Sequence, residues 1–140
     1  MSLSPVLDGL TFPEAPRWHA GRLWFSDFYS ERVLALNEDG SAETIVQVPG
    51  RPSGLGWAAD DSLLVVSMLE QRLMRYAEGR LERFADLSPF ATGPCNDMVV
   101  DELGRAWVGN FGFDRHQGQA QRTTCLVRVD ADGSARSAAD

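Results

Sequence analysis

Residues 94–110 read PCNDMVVDELGRAWVGN. Two short apolar runs, MVV and AWV, flank the polar turn DELGR, which is the pattern of an antiparallel hairpin. An Asn-Asp pair, Asn96 and Asp97, stands directly in front of the first run, where a buried strand gains nothing from polar side chains. The same arrangement occurs twice upstream. EAPRWHAGRLWFSDFYSERVLALNEDGSAETIV begins at Glu14 and SGLGWAADDSLLVVSMLEQRLMRYAEGRLERFADL begins at Ser53. The unit opening at Asn96 continues, after an insertion, into CLVRVDADGSARSAAD, so the three starts lie 39 and 43 residues apart.

Within each unit the pattern is that of strands. RVLALNEDG, RLMRYAEG and LVRVDADG alternate apolar and polar residues before a glycine-containing turn, as half-buried antiparallel strands do. HAGR, AADDS and DELGR read as hairpin turns, and SAETIVQV and RLERFADL as outer strands. SMLEQRLMRYAE has helical propensity, but its place in the repeat makes it strand, turn, strand. Four short strands in a unit of about 40 residues describe a β-propeller blade. A sandwich shares the short strands, yet the internal repeat favours the propeller. The expected fold is all-β: one domain, residues 1–140, with blades at 11–50, 51–90 and 94–140. Propellers have about 4–8 blades, so three form an arc with two uncovered faces. The chain is then a piece of a longer one, the favoured reading, or two copies meet to close a ring.

Composition excludes several classes of function. The net charge of −7 leaves no basic cluster to displace counterions from a phosphate backbone, which argues against nucleic acid as partner. No apolar run reaches the roughly 18 residues of a membrane span, and the N-terminus lacks the basic and apolar regions of a secretory signal. Cys95 and Cys125 show no zinc or C-x-x-C spacing and read as reduced core residues. The expected compartment is the cytoplasm.

The innermost strand of each propeller blade lines the central channel, so equivalent positions of successive blades converge on one axis. Glu14, Ser53 and Asn96 open their repeats and all carry oxygen. Converging oxygens suit a hard divalent cation, Ca²⁺ before Mg²⁺ or Mn²⁺. Ser and Asn also cap turns through side-chain to backbone bonds, and that reading competes for Ser53 and for Asn96–Asp97. Glu14 is harder to explain as a cap, because Pro13 and Pro16 hold its segment extended.

The stretches FPEAPRWHAGRLWFSD, RPSGLGW and CNDMVVDELGRAWVGNFGFD resemble the N-terminal half of the senescence marker protein, gluconolactonase and luciferin-regenerating enzyme family of six-bladed propellers. The resemblance implies a metal-dependent hydrolase of lactones, with an arylesterase-like hydrolase close by. It implies Glu14 as a ligand of the divalent metal, Zn²⁺ being a further candidate, and Asn96 as a substrate contact beside it. Asp97 follows Asn96 as in many members, Asp114 falls where some place an acidic substrate contact, and Ser53 matches a blade-opening position used less uniformly. Sugar-lactonase members carry an Arg where this chain has Pro94, so a gluconate-like substrate is not implied. The family's other metal ligands, one of them its proposed general base, belong to later blades, so little turnover is expected of these 140 residues unless the missing half of the propeller is supplied. The partner is then a small-molecule lactone or ester. A non-catalytic binding or scaffold propeller is the alternative.

Other chemistries find no support. There is no G-x-S-x-G elbow and no Walker or dinucleotide fingerprint. His19 and His116 read as turn or insertion residues. Trp18, Trp24, Trp57 and Trp107 read as packing between blades. Phe111 and Phe113 lie on a loop able to shape a pocket, and DRHQGQAQRTT (114–124) is a polar insertion that could act as a lid.

Overall fold

The computed structural model describes residues 2–139; Met1 and Asp140, the ends of the expected domain, lie outside the described residues. Twelve strands form three four-stranded antiparallel sheets, each ordered as the chain runs. The first blade comprises β1 (Pro13–His19), β2 (Arg22–Asp27), β3 (Arg32–Leu36) and β4 (Ala42–Gln47). The second comprises β5 (Pro52–Trp57), β6 (Leu63–Ser67), β7 (Arg72–Ala77) and β8 (Arg80–Asp86). The third comprises β9 (Cys95–Val100), β10 (Ala106–Asn110), β11 (Leu126–Val129) and β12 (Ala135–Ala139). The fold is a β-propeller arc, as the repeat predicts. SMLEQRLMRYAE crosses from β6 into β7 through a turn, without a helix.

The middle blade explains why its second strand is a continuous apolar run. All of LLVVS in β6 is buried. Side chains alternate between the two faces of a strand, and here each face has its own blade to meet. Leu63 and Val65 join Ala15, Val33, Val48 and Leu55 in a core shared with the first blade. Leu64 and Val66 join Met98, Ala106, Val108, Val127 and Val129 in a core shared with the third. Burying one such side chain contributes roughly 1.5–3 kcal/mol, so these two interblade cores, not the sheets alone, hold the arc together.

The innermost strands lie side by side, β5 against both β1 and β9. Their closeness depends on glycine. A Cβ on Gly54 would stand 2.4 Å from the Met98 amide nitrogen, and one on Gly56 would stand 2.5 Å from Val100 Cγ2. Gly54 is therefore where two backbones meet, and Gly56 leaves room for the Val100 side chain.

The tryptophans divide. Trp24 and Trp57 meet edge to face across the first two blades, with centroids 5.5 Å apart, as expected of interblade packing. Trp107 lies beside the guanidinium groups of Arg105 and Arg128 and donates to Asp101 at 2.9 Å. Trp18, by contrast, is 70% exposed. His19 takes the interblade position instead: it ends β1, stacks on Trp57 at 3.8 Å and meets Asp61 at 3.0 Å. The expectation of a turn histidine is corrected accordingly. The irregularity in β1 described below resets the strand's alternation, which is why Trp18 turns outward.

Candidate functional site

Each innermost strand carries the same irregularity at the same place. Three steps along β1, from Glu14 to Arg17, face two steps along β2, from Ser26 to Trp24. Three steps from Pro52 to Leu55 face two from Ser67 to Val65, and three from Cys95 to Met98 face two from Asn110 to Val108. One extra residue in one strand is a β-bulge, which bends the strand and re-aims its side chains. In β1 the bulge includes Ala15 at φ 52, a left-handed conformation that costs a residue with a Cβ on the order of 1 kcal/mol. Ser53, Asn96 and Asp97 are thus bulge residues, released from the alternation that would bury or expose them, whereas Glu14 is still paired with Ser26 and immediately precedes its bulge.

The bulges bring three of the predicted residues together. The Ser53 hydroxyl donates to Asn96 Oδ1 at 3.3 Å, and Ser53 itself is fixed by the Ser26 hydroxyl, which donates to its carbonyl at 2.7 Å. Ser53 is also near enough to Glu14 to favour its ionised form. A hydroxyl has one proton, and both Asn96 Oδ1 and the Glu14 carboxylate stand to accept it. Glu14 Oε1 is left buried without a hydrogen-bond partner. Burial raises the Glu14 pKa above its ordinary value; the Ser53 hydroxyl opposes this and the Asp97 charge adds to it. Three oxygens from three blades converge, with one proton among them.

Glu14 and Asn96 line a cleft of about 390 Å³ together with Phe12, Phe28, Tyr29, Arg51, Phe111, Phe113 and Asp114, within the size range of small-molecule sites. The two loop phenylalanines thus shape a pocket wall. Asp114 reaches the cleft, but its carboxylate accepts from the amides of His116 and Gln117 at 2.9 and 3.2 Å and so also organises its loop. The 114–124 insertion is fastened behind: Arg122 donates to the carbonyls of Gly112 and Thr92, and Thr124 to Asn110 Oδ1. Asp97 turns elsewhere, accepting from Arg17 Nη2 at 2.7 Å and from the Met98 amide at 2.8 Å. A more open hollow of about 670 Å³ between the first two blades shares no residue with this cleft, and its polar groups Asp60, Ser62 and Arg75 bond one another.

Two residues here escape the sequence reading. Asp27, at the end of β2, is fully buried and accepts from Thr11 and Phe12 amides at 2.8 Å, from the Thr11 and Ser30 hydroxyls and from Arg32. It ties the segment leading to Glu14 onto the first blade. Arg51, immediately before β5, has φ 68 and reaches the cleft beside Glu14. The only signal for Arg51 was its GRP context; Asp27 matches Ser67 and Asn110 in the repeat, which could have marked it.

The donor set suits a cation in part. A buried, unpartnered carboxylate oxygen beside neutral oxygens is an arrangement that a positive charge relieves. Among the described residues no group of three or more His, Cys, Asp and Glu gathers at one point, so these residues offer one carboxylate and neutral oxygen donors.

A family model described as SMP-30/Gluconolactonase/LRE-like region matches residues 12–140. The chain belongs to this family. Among solved structures, a gluconolactonase from Xanthomonas campestris superposes with a TM-score of 0.79 at 22% identity, covering 96% of this chain and 49% of its own. A luciferin-regenerating enzyme superposes at 0.76 with 20% identity, over 96% of this chain and 47% of its own. Regucalcin from Agrobacterium tumefaciens, described as a calcium-binding protein, superposes at 0.71 with 19% identity, over 91% and 43%. At these identities the likeness is one of fold. The chain spans about half the length of these members of known structure. No curated protein matches it. Among the described residues no helix is long and apolar enough to cross a membrane.

Proposed function

We propose that this chain carries half of the site of a metal-dependent lactone hydrolase, with a divalent cation held at the channel by Glu14. The observation that carries this reading is the buried, unpartnered Oε1 of Glu14 beside Ser53 and Asn96 at an open cleft. Family membership supports the lactonase class. One carboxylate with neutral oxygens favours a hard ion, Ca²⁺ above all, over the nitrogen- and sulfur-rich sites typical of Zn²⁺. A cation bound there supplies Lewis acidity to an ester carbonyl and acidifies water.

The chain's own residues do the rest. Glu14 contributes the charge, and its ionised form is the one that binds. Asn96 orients a substrate oxygen beside it, Ser53 holds Asn96 in place, and Asp114 presents a second polar contact from the cleft's far wall. Phe111 and Phe113 limit water. Asp97, paired with Arg17, positions β9 against β1 and touches substrate only if that ion pair opens. The remaining ligands and the general base come from further blades, whether of a longer chain or of a second copy, which also cover the two open blade faces.

Calorimetric titration of Ca²⁺ into the wild type and Glu14→Gln tests the assignment. Saturable binding that the Gln variant loses is the expected result. Unchanged affinity in Glu14→Gln would remove Glu14 from the site. In a complete ring, Glu14→Gln abolishes lactone hydrolysis, whereas Asn96→Ala lowers rate and substrate affinity and spares the cation.

A further inference from the structure

Arg51 is the observation that neither the fold nor the cation reading absorbs. Most arginines of this chain sit in ion pairs with Asp or Glu, among them Arg17, Arg22, Arg32, Arg75 and Arg105. Arg51 does not. Its guanidinium lies 5.2 Å from the Phe28 ring centroid and 5.1 Å from that of Tyr29, and among the described residues it has neither hydrogen-bond nor ion-pair partner. Of the carboxylates on neighbouring segments, Glu31 accepts from the Gly50 amide at 3.0 Å and Glu70 pairs with Arg72 at 3.1 Å, while Glu14 and Asp114 line the same cleft without an ion pair to Arg51. In a chain of net charge −7, a half-buried arginine left without an acid is a conspicuous donor.

The geometry gives that donor a use. Contact with aromatic rings engages a guanidinium as a cation and restrains it, while its N–H groups remain free to bind a planar carboxylate in two-pronged fashion. Phe28 and Tyr29 meet edge to face at 4.8 Å and Phe12 joins both, so the support is a packed cluster. Arg51 lines the same cleft as Glu14 and Asn96, and Phe111, Phe113 and Met68 line it too. A ligand filling this cleft meets oxygen chemistry at Glu14 and Asn96, apolar walls, and a cation at Arg51.

We propose that Arg51 is a specificity-determining residue that binds a carboxylate on the substrate, so that the preferred lactone or ester is an organic anion with an apolar or aromatic body. This rests on the lactonase reading for the identity of the reacting group, but the carboxylate site itself does not need the cation.

The test uses the 140-residue protein, freed of metal by chelator, with benzoate, its neutral amide benzamide and inorganic phosphate as probes. Binding is followed by NMR at the Arg51 Nε–H and the Asn96 side-chain amide, in wild type, Arg51→Gln and Arg51→Lys. Benzoate is expected to shift both signals saturably and benzamide to bind at least tenfold more weakly. Arg51→Gln should reduce benzoate affinity to the benzamide level, and Arg51→Lys should fall between. Equal binding of benzoate and benzamide, or an Arg51 signal that benzoate leaves unmoved, overturns the proposal. Phosphate binding as tightly as benzoate overturns the organic-carboxylate class. The Nε–H shift is read in the wild type, so misfolding of a variant does not remove the test. Failure of Ca²⁺ to bind in the separate titration would defeat the lactonase reading while leaving this result standing.

Discussion

Asp27 shows how much one buried side chain can decide. Burial opposes its ionisation, yet the Phe12 amide, the Ser30 and Thr11 hydroxyls and the Arg32 guanidinium outweigh burial and hold its carboxyl well below the ordinary 3.8. A carboxyl depressed by folding stabilises the protein above its unfolded pKa, and that stability is lost as pH falls through the folded value. Asp27→Asn should therefore cost on the order of 3 kcal/mol at neutral pH and flatten the loss of stability below about pH 4, both read by urea unfolding across a pH series. Four further low carboxyls have a humbler origin. Asp39, Asp60, Asp86 and Asp132 each accept from the hydroxyl and amide of the serine two residues on, and those serines lower their pKa values. Part of the acidic balance is thus turn chemistry. Cys95 is the opposite case: burial pushes its thiol up to about 12. In a thiol-reagent assay at neutral pH it should stay unmodified while the protein is folded and react fully in denaturant, whereas Cys125, less buried, should react first.

The strands were legible because period-two alternation and turn residues recur in register in all three units. SMLEQRLMRYAE has helical propensity, and only its repeat position made it strand, turn, strand; only the structure shows that LLVVS is apolar on both faces because a blade covers each. The bulges at 15–16, 53–54 and 96–97 were not legible. A single inserted residue leaves no compositional mark, so Trp18 was assigned to a core that His19 helps to form. Convergence of Glu14, Ser53 and Asn96 could be read from repeat phase, since phase fixes position around an axis. Arg51 could not, because its importance lies in partners it lacks. Gly54 carries the element-scale prediction: with Met98 N 2.4 Å from the site of its missing Cβ, Gly54→Ala must push β9 away from β5. A loss of about 1–3 kcal/mol is expected, with amide exchange accelerated selectively in β5 and β9. Unchanged exchange in β9 would mean that the two strands do not meet as described.

Across the whole molecule, the two interblade cores make one continuous arc whose innermost strands lie side by side. The bulges on those strands let polar side chains reach a shared cleft without breaking the sheets behind them. At that cleft Glu14 is half-buried, and one of its oxygens, Oε1, is buried without a hydrogen-bond partner. The most direct measurement is anomalous scattering from crystals soaked in Mn²⁺, a scatterer that stands in for Ca²⁺ or Mg²⁺. The account predicts a principal peak about 2.0–2.6 Å from a Glu14 carboxylate oxygen, the range for such ions, with Asn96 on the same side. A principal peak at surface carboxylates alone, with nothing beside Glu14, would contradict it.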